Sequence, residues 1–222
     1  MRTRIKVCCI QSVQEARLAI AEGVDALGLV SAMPSGPGSI PEDRIREIAA
    51  SIPPPVGSFL LTAETTAEAI SAQIRRTSPT AVQIVSHIAE QEAAALAARE
   101  PWVRRIQVIH VEGADCLKLV SRYAPHVHAF LLDSGRPGAD TPELGGTGRV
   151  HDWGVSCEFV RRSPVPVFLA GGLHPDNVME AIRKVRPFGL DVCSGLRHRG
   201  ALHAELLRKF VEAVHEADSA QT

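Results

Sequence analysis

"VFLAGGLHPDNVMEAIRKVRPFGLDVCSG" (residues 167–195) reads as strand, helix, strand, and each strand runs into small residues. The first, "VFLAGG" (167–172), ends in Gly171 and Gly172; the second, "GLDVCSG" (189–195), ends in Ser194 and Gly195. Between them "PDNVMEAIRKV" (175–185) reads as helix. Strands joined through a helix lie parallel, because the crossover carries the chain back to the starting edge.

The same unit recurs along the chain. Strand segments 4–10, 26–30, 56–62, 81–87, 104–111, 129–134, 167–172 and 189–195 each precede a helical segment, at 12–23, 41–52, 66–77, 89–100, 114–124, 152–162, 175–185 and 201–217. Ser12 with Glu15 forms a capping-box pattern and Gly23 a stop, while Pro41 suits a first helical position. Eight βα units within 222 residues predict a single (β/α)8 TIM barrel with parallel strands, one domain over 1–222. An open doubly wound sheet is the alternative, but no GxGxxG or GxxxxGK[ST] follows any strand.

Composition narrows the partners. Hydrophobic residues make up 45%, charged residues 22%, and the net charge is -1, so nothing draws the chain as a whole to nucleic acid or an anionic membrane. No apolar run reaches the length of a spanning helix, and "MRTRIKVCCIQS" (1–12) is too short in its apolar part for a signal peptide. The five cysteines form no CxxC pair and no disulfide framework, which predicts a cytoplasmic protein. His87, His110 and His174 end different strands and read as a polar rim, so no metal site is expected.

In a barrel of this kind the chemistry sits at the carboxyl ends of the strands. Gly171 and Gly172 after strand 7, with Ser194 and Gly195 after strand 8, would offer backbone N–H groups to a phosphate at close approach. Tight turns alone would also use such glycines. Asp133 ends strand 6 and precedes a Gly- and Pro-rich loop of roughly 15 residues, the length of a lid. A carboxylate buried under a lid has its pKa raised and can act as a general acid; the competing reading is a turn cap. In "RIKVCCIQS" (4–12), strand alternation sends Cys8 to the face of Lys6 and Cys9 to the opposite one.

Taken together, "KVCCIQSVQEARLAIAEGVDALGLV", "LLDS…GGTGRVHDW" and "LAGGLHPDNVMEAIRKVRPFGLDVCSG" resemble the phosphoribosylanthranilate isomerase family of tryptophan biosynthesis. That family shows K-[IV]-C-G-I-T at strand 1, L-L-D-S at strand 6, then G-G-T-G-x-x-F-D-W, L-A-G-G-L-x-P-x-N-V and P-x-G-[VL]-D-[VL]-S-S-G. The resemblance implies a cofactor-free aldose-ketose isomerase acting on a small phosphosugar, as monomer or homodimer. It implies an Amadori-type rearrangement of N-(5'-phosphoribosyl)anthranilate with Cys8 as general base and Asp133 as general acid. Cys8 would point into the barrel mouth and Cys9, standing for a glycine, toward the helices. A free thiol is mostly protonated near neutrality, so a positive neighbour is needed, and Lys6 is the candidate. Lys6, Gly146, Gly148, Arg149 and Asp191 join the substrate and lid set on the same resemblance.

The departures are concentrated. Where the family carries S-P-R-[YF], with an arginine for the anthranilate carboxylate, this chain reads "SAMPSGPGSIPE" (31–42), without a basic residue. Losing a charge-assisted pair of this kind costs about 1.5–3 kcal/mol; Arg136 or Arg149 from the lid could replace it. V-Q-L-H-G becomes "VQIVSH" (82–87), threonine becomes Gln11, an acidic residue becomes Arg197, and Cys193 stands where serine is common. A paralogue isomerising a different phosphosugar or N-substituted phosphoribosylamine, and a non-catalytic phosphate-ligand binder, are the alternatives. Cys116 and Cys157 read as core, and Trp153 as a packing anchor for the lid.

Overall fold

Eight short parallel strands close into a barrel in the computed structural model, which describes residues 2–135 and 150–220. They are β1 (Arg4–Val7), β2 (Ala26–Val30), β3 (Gly57–Thr62), β4 (Ala81–Ile84), β5 (Arg104–His110), β6 (Ala129–Asp133), β7 (Val167–Leu169) and β8 (Gly189–Val192). Each pairs with its sequence neighbour, and β1 pairs with β8 to close the ring, Lys6 opposite Asp191.

The helices are α1 (Val13–Ala21), α2 (Glu42–Ser51), α3 (Ala67–Thr77), α4 (Glu90–Arg99), α5 (Leu119–Tyr123), α6 (Trp153–Arg162), α7 (Val178–Val185) and α8 (Ala204–Ser219). Their starts follow local chemistry. Ser12 caps α1 by accepting from the Glu15 amide, and the Glu15 carboxylate reaches back to the amide of Gln11, one residue earlier than in a regular capping box. Pro41 precedes α2 as its cap instead of occupying the first turn. On α7, Val178, Ala181, Ile182 and Val185 bury one face against the sheet at spacings of three and four.

Two apolar layers result. Between strands and helices lie Ile5, Leu27, Leu60, Ile48, Phe130, Phe159 and Phe210. Inside the barrel lie Leu61, Ala81, Ile106, Val108, Leu131 and Phe168. Phe168 packs edge-on against Phe59 at 6.1 Å and Phe188 at 5.5 Å, plugging the amino-terminal end. Gly189 makes this possible, since a Cβ there would stand 2.7 Å from the Phe168 ring. Among the described residues no helix is long and apolar enough to cross a membrane.

The structure corrects several boundaries. The segments predicted as strand at 8–10, 170–172 and 193–195 lie outside β1, β7 and β8. The predicted helix 114–124 is a short α-helix between 3-10 turns at Ala114–Lys118 and Ala124–His126, the second containing Pro125. Ahead of α8 the chain forms a small antiparallel hairpin, β9 (Arg197–His198) with β10 (Ala201–Leu202), turning at Arg199 and Gly200 with positive φ.

Candidate active site

The loops at the carboxyl ends of the strands surround a pocket of about 730 Å³, counting its open mouth. Cys8 and Cys9 reach it from β1, Asp133 from β6, Gly171 and Gly172 from β7, and Asp191 and Ser194 from β8. Met33, Ser35, Gly36 and Pro37 close one side, and Val30, Leu61, Val85, Val108 and Ala170 make the remaining wall largely apolar.

Cys8 is fixed by the barrel seam, where its amide donates to Val192 O at 2.8 Å. Its thiol lies over Gly28 on β2. A Cβ at Gly28 would be 2.7 Å from Cys8 Sγ and 2.9 Å from Lys6 Nζ, so this glycine makes room for both side chains at once. Lys6 is fully buried and meets Asp191 Oδ1 at 2.8 Å, as an ion pair without the alignment of a well-formed hydrogen bond. Burial opposes the ammonium, but the Asp191 carboxylate and the nearby thiols of Cys8 and Cys9 outweigh it and hold Lys6 above the usual lysine range.

Asp133 is half-buried and lines the pocket. Its Oδ1 accepts from the Ser134 amide at 2.7 Å, so the turn-cap role is present in the same residue that lines the site. Burial pushes its carboxyl up despite that hydrogen bond and the opposing pull of His110 and Lys6; Asp191 adds to the rise.

The glycine loops differ in use. Gly171 and Gly172 take φ of +83° and +63°, a left-handed pair that side chains disfavour. Asn177 pins the loop, donating to Gly172 O at 2.9 Å and accepting from the His174 amide at 2.9 Å. Ser194 lines the pocket, whereas Gly195 stands behind the rim: a Cβ there would lie 2.1 Å from Leu173 O. Its small size lets the β7 and β8 loops touch. Gly146, Gly148 and Arg149, with Arg136, lie outside the described residues.

Cys9 departs from the alternation argument. The regular strand has ended at Val7, and φ of +62° at Cys9 turns its side chain to the pocket instead of toward the helices. Its Sγ lies 2.7 Å from that of Cys193 and 3.6 Å from Pro37 O, and Gly38 leaves the space it fills. Arg197 is also structural: its guanidinium pairs with Glu15 at 3.1 Å and donates to the carbonyls of Cys9 and Gly200.

Sequence reading missed Gly28, which looks like any small residue in "ALGLV", and Gln83, a buried polar side chain lining the pocket from β4. The signal for Gln83 was a polar residue inside an apolar strand. His87 and His110 are neighbours, with ring centres 5.4 Å apart, and line a separate cavity with Glu112, Asp115 and Cys116. His174 instead faces Asp176 at 3.7 Å. Among the described residues no cluster of three or more His, Cys, Asp or Glu is placed to hold a metal ion. Cys116 is buried, Cys157 half-buried, and Trp153 is buried at the start of α6.

Residues 5–213 match the family model of N-(5'phosphoribosyl)anthranilate (PRA) isomerase. The N-(5'-phosphoribosyl)anthranilate isomerase 2 of Methanosarcina mazei is 35% identical, covering 96% of this chain and 93% of its own. The isomerase of Halobacterium salinarum is 37% identical over 89% of this chain and 88% of its own. Among solved structures, phosphoribosyl anthranilate isomerase from Thermotoga maritima superposes with a TM-score of 0.82 at 26% identity, over 96% of this chain and 99% of the other. A further isomerase structure, in complex with reduced 1-(o-carboxyphenylamino)-1-deoxyribulose 5-phosphate, has the same fold, with a TM-score of 0.80 at 24% identity, over 96% and 99%.

Proposed function

This chain belongs to the PRA isomerase family, and from that premise we propose that it converts N-(5'-phosphoribosyl)anthranilate into its 1-deoxyribulose 5-phosphate isomer. Members of this family are intramolecular oxidoreductases of tryptophan biosynthesis, and the chain is an enzyme of that kind. One observation supports the reading above others: Cys8 after β1 and Asp133 on β6 line one pocket together with Gly171, Gly172 and Ser194.

In this reading the substrate phosphate rests on the backbone N–H groups around Gly171, Gly172 and Ser194, with Gly195 holding the two loops together. Asp133, whose carboxyl burial pushes above the usual aspartate range, donates to the furanose ring oxygen as the C1–O bond opens to a Schiff base. The Cys8 thiolate removes the C2 proton, and the enolamine tautomerises to the ketone. Lys6 sits beside Cys8 as a fixed positive charge and Asp191 holds it there. Oxidation at C2 and reduction at C1 occur within one molecule, so the step balances without a redox cofactor.

A second reading has its own observation. The side of the pocket made by Met33, Ser35, Gly36 and Pro37 brings no cation toward an anthranilate carboxylate. A paralogue acting on another N-substituted phosphoribosylamine would have such a wall. The test follows loss of substrate fluorescence with freshly made N-(5'-phosphoribosyl)anthranilate, with Cys8→Ala as control. Turnover that vanishes in the variant is expected. A folded protein that binds a phosphosugar and turns over none of this substrate would overturn the assignment in favour of the second reading.

A further inference from the structure

Two cysteines that the isomerisation does not use, Cys9 after β1 and Cys193 after β8, lie 184 positions apart in the chain. The fold brings them together, with Sγ atoms 2.7 Å apart at the rim of the pocket. The arrangement is held from several sides. The seam between β1 and β8 fixes both backbones through Cys8 N to Val192 O, Arg197 grips the Cys9 carbonyl, and Gly38 backs the Cys9 side chain. Both thiols line the pocket, so a small oxidant entering it reaches them.

We propose that Cys9 and Cys193 are a dithiol pair that peroxide oxidises to a reversible disulfide, locking the β1 and β8 loops together and slowing the enzyme. Cys193 is the attacking sulfur. The Arg197 guanidinium lies close by and favours the Cys193 thiolate against the effect of burial. The thiolate attacks one peroxide oxygen, the O–O bond breaks, and the departing hydroxide takes up a proton to leave as water. Cys193 is then a sulfenic acid. The Cys9 sulfur attacks it, the S–O bond breaks, and the hydroxyl leaves as a second water with the Cys9 proton. Two thiols and one hydrogen peroxide become one disulfide and two waters, and an external dithiol reverses the change by exchange. A sulfur–sulfur bond is about 2.05 Å long, so closing it needs only a small displacement of each side chain. Cys8 precedes one sulfur and Ser194 follows the other, so the lock acts on both ends of the proposed substrate; this effect on turnover rests on the isomerase reading.

The experiment separates the pairing from the activity. The full chain and Cys8→Ala are treated with one equivalent of hydrogen peroxide, alkylated, digested without reductant and mapped by mass spectrometry. A Cys9–Cys193 cross-link in both proteins, abolished by dithiothreitol and absent from Cys193→Ser, is expected. Turnover of the oxidised full chain should fall at least several-fold and return on reduction. Fragmentation of the linked peptide assigns the bond even if Cys193→Ser fails to fold. A Cys8–Cys9 or Cys8–Cys193 bond, or sulfinic acid on Cys193 with no cross-link, would overturn the pairing whatever the substrate. A clean cross-link with unchanged turnover would overturn the lock.

Discussion

Lys6 and Asp191 face each other across the seam that closes the barrel, and their charges meet at 2.8 Å in an interior that excludes water from the ammonium. Each charge is tolerated there because of the other. Asp191→Asn would leave a buried ammonium with no counter-charge, and breaking such a pair from one side costs about 3–5 kcal/mol. The urea midpoint should fall accordingly. Replacing both partners with apolar residues of similar volume should recover much of the loss, which separates the unpaired charge from the missing contact.

Gly28 admits the thiol of Cys8 and the ammonium of Lys6 to the same space. Gly28→Ala should displace the thiol and the ammonium, whose ends lie 2.7 and 2.9 Å from the new Cβ, because the Cys8 backbone at 3.1 Å closes the other side. Moving a reacting group by an ångström costs on the order of 100-fold in rate. We expect kcat to fall by that order, with a smaller change in KM, in steady-state kinetics on the folded variant.

Asp133 should give opposite answers in two assays. Its folded pKa is raised by burial, so the unfolded chain ionises first as pH rises, and stability declines from the ordinary aspartate pKa up to the folded value. Asp133→Asn removes that penalty and should stabilise the protein at pH 7 by on the order of 1 kcal/mol. The difference should vanish near pH 3. In the same variant kcat should drop by about 10²–10⁴-fold.

Glu15 works in the other direction. Burial alone would raise it, but hydrogen bonds from Arg197 and from the amides of Leu202 and Gln11 hold it below the usual carboxylate range. Its contribution is therefore complete above the ordinary glutamate pKa and is lost as pH falls through the lower folded value. Glu15→Gln should cost about 1.5–3 kcal/mol at pH 7, the worth of hydrogen bonds to a charged group. That deficit should shrink in acid, as thermal melts across the range would show.

The barrel was readable because short apolar runs alternate with helix-forming segments eight times along the chain. The pairing of glycine loops with an acid and a thiol was readable because strand order brings their ends to one face. What escaped sequence reading was the behaviour of the chain immediately after each strand. Alternation sends Cys9 outward only if the strand continues, and a positive φ at that residue ends it. Apolar composition carries "VCCI" and "VFLA" past the last ladder position, because residues lining a pocket look like residues lining a core. Gly28 was hidden for a different reason: its use depends on two side chains from a neighbouring strand.

The seam between β1 and β8 also orders events in time. Cys8 and Lys6 are made well before Asp191 and Ser194, which lie on the far side of seven βα units, and Thr3 is fastened by two hydrogen bonds to Asp218 on α8. During synthesis the thiol must wait for the whole barrel, through β8, before the β8 side of its pocket exists. A ribosome paused before residue 189 would carry seven of the eight staves and no working mouth. Catalytic competence therefore arrives as one event, when the eighth strand zips against the first.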